Sequence, residues 1–482
     1  MAGMLGRLRG AVRALGREDT PPAGPDGASL IAMIGAIGPA LLGSAQATSD
    51  VQKTLRRLAA QYGRPDLRVF VLPTLVMVED SQKTPAATAI FPAEDGDLRL
   101  DQAAAVDHIV RVALREGTDP AQVVAEIAEL KRSTPRFGPL GVILGHTLLS
   151  VGFGLVINPT VTALPVYVVL GAIVGVILVL APRAATLSLI LPVFTAFAVT
   201  LIVSLVVRPL VHDDVVRLVA PALVSFLPGL TLTIAAVELT AGQIIAGASR
   251  LVFGIARLAL LAFGVFAGMT VAGTPTVTST PSQLGEWAPW VGIARVSLGY
   301  TLYSSAPRGS LVWILYALVV AYSAQLLGNV LVGAELSGLI GAAVVVPAAY
   351  LAARVRVAPP AGIMLTCAYW LLVPGAMGFI GISEAASGAA GASNTILQTF
   401  GSLIAIAIGM VVGAGISRDF TAVVQGWKDP TRALSDGGDT HAADDAKPAP
   451  SATSSLDGTT ETASQLPRPQ AAPRGTTPTS AS

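Results

Sequence analysis

Charge is what this chain has least of. Only 13% of its 482 residues are Asp, Glu, Lys or Arg, about half the quarter that soluble domains carry. The shortage is concentrated: from Phe137 to Ser417 there are six acidic residues, nine arginines and no lysine. A single cysteine, Cys367, excludes an intrachain disulfide and any cysteine-cluster metal site. The net charge of +1 gives no overall field that would attract nucleic acid. Glycine-rich phosphate loops and nucleophile elbows are missing, and no Gly-x-Ser-Gly or pair of span-buried aspartates marks a membrane protease. The chain therefore reads as neither an enzyme nor a holder of metal or cofactor.

What it has instead is apolar length. Hydrophobic residues make up 52% of the chain, and the mean hydropathy is +0.66. The polar residues collect at the two ends, which divides the chain into five parts. Residues 1–28 are a basic arm and linker. Residues 29–136 are expected to form a small cytoplasmic α/β domain. Residues 137–272 and 273–417 are two membrane halves, and residues 418–482, rich in Ala, Thr, Ser, Pro and Asp, have the composition of a disordered tail. The arm carries Arg7, Arg9, Arg13 and Arg17 with Met4, Leu5, Leu8, Val12 and Leu15 on one helical face. It lacks the apolar core of a secretory signal. It suits a basic amphipathic helix on an anionic leaflet, or an unstructured basic tail, equally well.

In the 29–136 part, SDVQKTLRRLAAQYG places Val51, Leu55, Leu58 and Ala59 at helical spacing before Gly63. LRVFVLPTLVMVED (67–80) reads as one strand with an edge position or bulge at Pro73, and TAIFPA (88–93) as a second. Helices follow over 101–115 and 119–132, with Asp101 and Asp119 as N-caps. His108 reads as a surface or satisfied helix residue rather than a catalytic one.

A membrane span needs about 20 apolar residues. The pattern predicts ten, near 138–157, 161–181, 187–207, 218–245, 251–272, 287–305, 311–331, 335–353, 359–381 and 391–416. With the first domain inside, inner loops hold Arg183, Arg250, Arg308, Arg354, Arg356 and Arg418, and outer loops hold only Arg208 and Arg217. That imbalance puts both termini in the cytoplasm, with Trp287 and Trp290 in the outer aromatic belt.

One motif occurs twice. Pro228-Gly229, eight residues, then Glu238 recurs as Pro374-Gly375, eight residues, then Glu384. A shuffled chain of this composition would give the pattern roughly 0.1 times, so the two copies point to internal duplication. Each copy lies in the fourth span of its half, and an odd number of spans per half inserts the halves upside down to each other. Proline removes a helix hydrogen bond and glycine loosens the next turn. The freed backbone groups must face protein or water, not lipid. A lone Pro-Gly is more often a kink, and a lone glutamate near a helix end more often reaches the headgroups. Paired interrupted segments in inverted repeats instead mark a transporter site. Glu238 and Glu384 are thus candidate substrate or proton carriers, with Pro228, Gly229, Pro374 and Gly375 as the breaks. Arg257 is expected to face a cavity or pair with Glu238, Arg250 to anchor at the inner face, and Arg295 to seek Glu335. His146 reads as a hydrogen-bonded packing residue.

LRRLAAQYGRPDLRVFVLPTLVMVED and LPGLTLTIAAVELTAGQIIAGASRL together resemble the threonine/serine exporter family, over about residues 38–416. The second motif carries Pro228, Gly229, Glu238, Gly247 and Arg250. The resemblance implies a bacterial inner-membrane carrier with a cytoplasmic N-terminal domain and about ten spans. It also implies export of L-threonine and L-serine driven by protons, with membrane lipid as a further partner and no bar to a homo-oligomer. The residues leave two alternatives open, an exporter of C4 dicarboxylates such as succinate, clamped by Arg257 and Arg295, or a membrane sensor or scaffold.

Overall fold

The run GASLIAMIGAIGPALLG, to which the sequence pattern assigned no element, forms the first helix, α1 (Gly27–Gly43). The computed structural model describes residues 27–417 apart from 84–85, 94–96, 181–184, 212, 274–281, 334–335, 373–378, 384–397, 399–400 and 403. In α1, Leu30, Met33, Ile34, Ile37 and Leu41 recur at helical steps and are all buried. Around this stripe pack α2 (Thr48–Gln61), a sheet of β1 (Arg68–Leu72), β2 (Leu75–Asp80) and β3 (Ala87–Pro92), then α3 (Leu100–Glu116) and α4 (Pro120–Arg132). The sheet is an antiparallel meander in the order β1-β2-β3.

The stretch 67–80 is therefore two strands and not one. Its turn falls at Pro73, which cannot donate to a ladder and whose fixed φ suits a turn. Val69 then pairs with Val78 and Val71 with Val76, all four facing the core. Asp101 does not cap α3; Arg99 holds the N-cap position, and its Nε lies 3.0 Å from Asp101 Oδ1. Asp119 occupies the N-cap position of α4 without a side-chain bond to it.

The remaining elements are helices: α5 (Pro139–Ile157), α6 (Leu164–Leu180), α7 (Ala185–Ile202, continued as a π turn over Val203–Val207), α8 (Val215–Val219, continued as a 3₁₀ turn over Ala220–Phe226), α9 (Gly229–Thr240) and α10 (Ile244–Ala272). After these come α11 (Ala288–Tyr303), α12 (Ser310–Val332), α13 (Ser337–Ala352), α14 (Ala361–Leu372) and α15 (Ile404–Ser417). Their outward faces are apolar, with Val169, Phe194, Phe253, Phe263, Val312 and Leu331 exposed, as a lipid solvent requires. Among the described residues, four helices are long and apolar enough to cross a bilayer: Pro139–Ile157, Ile190–Val207, Ile244–Ala272 and Ser310–Val332. The bent pair α8–α9, taken as one span, makes a fifth, and shorter apolar helices lie beside them.

Two sets of glycines hold this bundle together, and neither was singled out from the sequence. Where α5 crosses α11 the helices run antiparallel with almost nothing between them. A Cβ added at Gly145 would lie 2.5 Å from the Tyr303 amide nitrogen, and one at Gly152 2.8 Å from the Gly292 oxygen. In reverse, a Cβ at Gly292 would lie 2.7 Å from the Gly152 oxygen, and one at Gly299 2.8 Å from the Gly145 oxygen. The second set recurs along the chain. Gly264 and Gly268 of α10 press on the Val193 and Phe197 carbonyls of α7, and Gly409 and Gly413 of α15 press on the Leu339 and Ala343 carbonyls of α13. Both glycines reappear 145 residues later, and both carbonyls 146 residues later. Small residues let backbones approach in this way where no hydrophobic effect drives helices together.

The α+β part docks on the helices through α3. Leu100 and Ala104 join a cluster with Leu149, Phe153, Val224 and Tyr300, and the Leu100 amide donates to the Ser304 oxygen at 3.0 Å. This contact brings the β3–α3 connection against α11.

Candidate functional site

Pro228 stands between α8 and α9, whose axes differ by 68°. It occupies the N-cap position of α9, and no side chain among the described residues caps that helix. The first-turn amides of α9 thus present the positive end of a helix inside the bundle. Gly229 starts α9 and is buried.

Three turns along α9, Glu238 is completely buried. The turn after α9 needs the left-handed conformation, which Gly242 supplies at φ 77°. Gly247 then lets α10 pack on α9, since a Cβ there would lie 2.8 Å from the Ala235 oxygen. This tight hairpin sets Arg250 Nε 3.2 Å from Glu238 Oε2, an ion pair without hydrogen-bond alignment. Arg250, expected only to anchor at the inner face, is thus the arginine that pairs with Glu238, and the pairing expected of Arg257, almost two turns further along α10, is not formed among the described residues. Glu238 Oε1 accepts a hydrogen bond of 2.8 Å from the Thr48 amide. Thr48 is the first residue of α2, whose own N-cap residue, Ala47, provides no side-chain cap. A carboxylate from α9 thus caps a helix of the α+β part across 190 residues of sequence, with that helix's positive end and Arg250 both facing it.

The Thr48 contact can be removed without harming α2. Proline is favoured at the first helical position, and Ala47 already has the extended backbone, φ −66° and ψ 143°, that precedes proline. Thr48→Pro deletes only the donor amide and a hydroxyl that has no partner among the described residues. Hydrogen exchange is expected to quicken at the end of α9 while α2 stays protected. Unchanged exchange around residues 236–243 would show that the cap does not hold the two parts together.

A second polar group lies beside the first. His146 of α5, completely buried, is 2.9 Å through Nδ1 from the Gly171 oxygen and 3.0 Å through Nε2 from Ser225 Oγ. Ser225 stands three residues before Pro228, and the Tyr303 ring lies 6.0 Å from that of His146. Asp97, on the β3–α3 connection, is open to solvent. The surrounding protein nevertheless raises its carboxyl pKa above the ordinary range, against the pull of Arg257 and Arg250. One turn beyond His146, the buried Ser150 hydroxyl has no partner among the described residues.

A third group joins the other ends of the helices. Asp213, 3% exposed, accepts from Asn158 Nδ2 at 3.0 Å, Thr160 Oγ1 at 3.1 Å and the Asp214 amide at 2.8 Å. Asp214 caps α8 through the Arg217 amide. These bonds satisfy Asp213, and among the described residues no cluster could hold a metal ion.

Of the residues singled out in the sequence, Pro228, Gly229, Glu238, Arg250 and Arg257 gather around α9 and α10. Arg295 is exposed on α11. Pro374, Gly375, Glu384 and Glu335 lie outside the described residues. Sequence reasoning missed Asp97, Ser225, Tyr303 and Asp213. Only Ser225, three residues before the Pro-Gly pair, stood near a signal.

No curated protein and no solved structure gives a significant match to this chain. A family model does, over residues 32–272, from within α1 to the last residue of α10. That span takes in the capped α2, the broken segment and the Glu238–Arg250 hairpin, and half of the whole chain. The chain is a membrane protein that belongs to the family described as "Putative threonine/serine exporter".

Proposed function

We propose that the protein is a secondary-active, proton-coupled exporter of small hydroxy amino acids, L-threonine and L-serine, in a bacterial inner membrane. The observation that carries this reading is the break at Pro228: an apolar segment bent by 68° with uncapped amides in its interior. Such a feature is costly in lipid and serves to bind an anionic group. In this reading ten spans form two inverted halves, 137–272 and 273–417, with both termini and the α+β part in the cytoplasm. The recurring glycine contacts of α7/α10 and α13/α15 support the duplication. So does the α5/α11 crossing: Gly292 and Gly299 each follow Gly145 and Gly152 by 147 residues, and the contact is reciprocal, as a two-fold axis demands.

The substrate meets the broken segment beside His146 and Ser225. Glu238, Arg250 and the end of α2 close the cytoplasmic side, and Glu384 at the end of the second copy serves the opposite side. A proton gradient drives alternation between the two. Purified protein in liposomes loaded with L-threonine, L-serine or succinate tests this. Efflux of both amino acids, accelerated by an imposed proton gradient, is expected. Efflux of succinate alone, or of nothing, would overturn the reading.

A further inference from the structure

Three buried polar atoms are left unsatisfied around one carboxylate. Thr48 Oγ1, Arg250 Nε and Glu238 Oε2 have no hydrogen-bond partner among the described residues. Yet Glu238 stands against both neighbours: its Oε1 is 2.8 Å from the Thr48 amide, and its Oε2 is 3.2 Å from Arg250 Nε, out of line for a hydrogen bond. Thr48 and Glu238 are completely buried. Buried polar groups are nearly always paired, so idle donors beside a carboxylate need a reason. The tether supplies one. Glu238 reaches the head of α2 from α9, and α9 is held so closely on α10 that a Cβ at Gly247 would lie 2.8 Å from the Ala235 oxygen. From that anchorage the carboxylate meets one donor well and the others poorly. The acid in the first turn of α2 itself, Asp50, does not fill the place, for it is exposed and lies 3.5 Å from Lys53. The head of this 14-residue helix therefore offers an amide, a hydroxyl and a flanking guanidinium, which its resident engages only in part.

We propose that the head of α2 and Arg250 form a carboxylate seat on the cytoplasmic side, in which Glu238 stands in for the α-carboxylate of the transported amino acid. The inference rests on the exporter reading and deepens it by naming where the substrate is first held. A free carboxylate has no tether to α9. It can accept from the Thr48 amide and hydroxyl and present its other oxygen in line with Arg250, so that the idle donors are used. One seat cannot hold two carboxylates, and the substrate therefore enters only as Glu238 leaves. Loading thus releases the tie between α9 and the α+β part, and the substrate opens its own gate. The head of α9 at Gly229, nine residues before Glu238 and about 14 Å away along the helix, is the next anion-binding end inward.

Equilibrium binding to the purified full chain in detergent tests this. With Glu238 in the seat about nine-tenths of the time, wild type binds a competing carboxylate about tenfold more weakly than a chain without it. Glu238→Ala is therefore expected to bind L-threonine about tenfold more tightly than wild type, and propanoate likewise. L-threoninamide, which has no carboxylate, should gain nothing. A glutamate that received the substrate ammonium instead would give the opposite sign. Both carboxylates should also restore part of the melting temperature that the variant loses. Adding Thr48→Pro, which removes the amide and the hydroxyl together, should abolish the gain. Where Glu238→Ala does not fold, Glu238→Gln gives the same comparison, since it too withdraws the competing charge. L-threonine bound no more tightly by either variant than by wild type overturns the exchange, and if wild type in liposomes still releases L-threonine, the exporter reading stands without it. Binding of succinate in place of L-threonine would overturn both.

Discussion

Gly152→Leu is expected to prevent assembly of the helix bundle. In an isolated helix the loss of a glycine would be a gain, about 1 kcal/mol for alanine over glycine. The crossing of α5 and α11 reverses that sign. A Cβ at Gly152 would lie 2.8 Å from the Gly292 oxygen and 2.9 Å from the Val296 nitrogen. These are backbone atoms on a neighbouring helix, and no rotamer change moves them. Overpacking that flexible side chains can absorb costs about 1–3 kcal/mol. Here relief requires the helices to separate, which also forfeits the reciprocal contacts at Gly145, Gly292 and Gly299, so the cost lies at or above the top of that range. Gly415→Ala, in α15 with nothing within 4 Å of the new Cβ, is the control and should be neutral or slightly stabilising. Yield of monodisperse protein and melting temperature in detergent measure both. A Gly152→Leu variant that purifies and melts like wild type would mean that α5 and α11 do not meet in this way.

What could be read from the sequence divides along the range of the forces involved. The break at Pro228-Gly229 was legible because proline and glycine act on the backbone where they stand. The amphipathic α2, α3 and α4 were legible because their periodicity is local. The pairing of Glu238 with Arg250 rather than Arg257 was not. It depends on angular register across a hairpin whose tightness is set by Gly242 and Gly247, and a difference of seven positions along α10 leaves no mark in composition. The Thr48 cap was invisible for a stronger reason. Its donor and its acceptor are 190 residues apart in sequence and meet only when the α+β part docks on the helices. The glycine seams lay in between. Their spacing is present in the sequence, seven residues in both α5 and α11, but glycine is so frequent in apolar helices that the spacing stands out only once the opposing carbonyls are known.

The second large effect is expected at Glu238, and a double-mutant cycle brings it out. Glu238→Ala removes at one stroke the anion beside Arg250, 15% exposed, and the acceptor of the Thr48 amide. Breaking a buried pair from one side costs about 3–5 kcal/mol, because the remaining charge is left uncompensated. The single variant should therefore lose both stability and transport. Replacing both partners by apolar groups of similar volume is often neutral, so Glu238→Leu with Arg250→Met should regain much of the melting temperature. It should not regain transport. The end of α2 would still lack a cap, and the charged latch between the α+β part and the broken segment would be gone. Glu238→Gln separates these contributions further, for it keeps an oxygen for the Thr48 amide and loses only the charge. If the cap dominates, Gln should be stable and only partly impaired; if the ion pair dominates, it should resemble Ala. Restored transport in the Leu–Met double variant would remove Glu238 and Arg250 from the mechanism and leave them as packing between two helices.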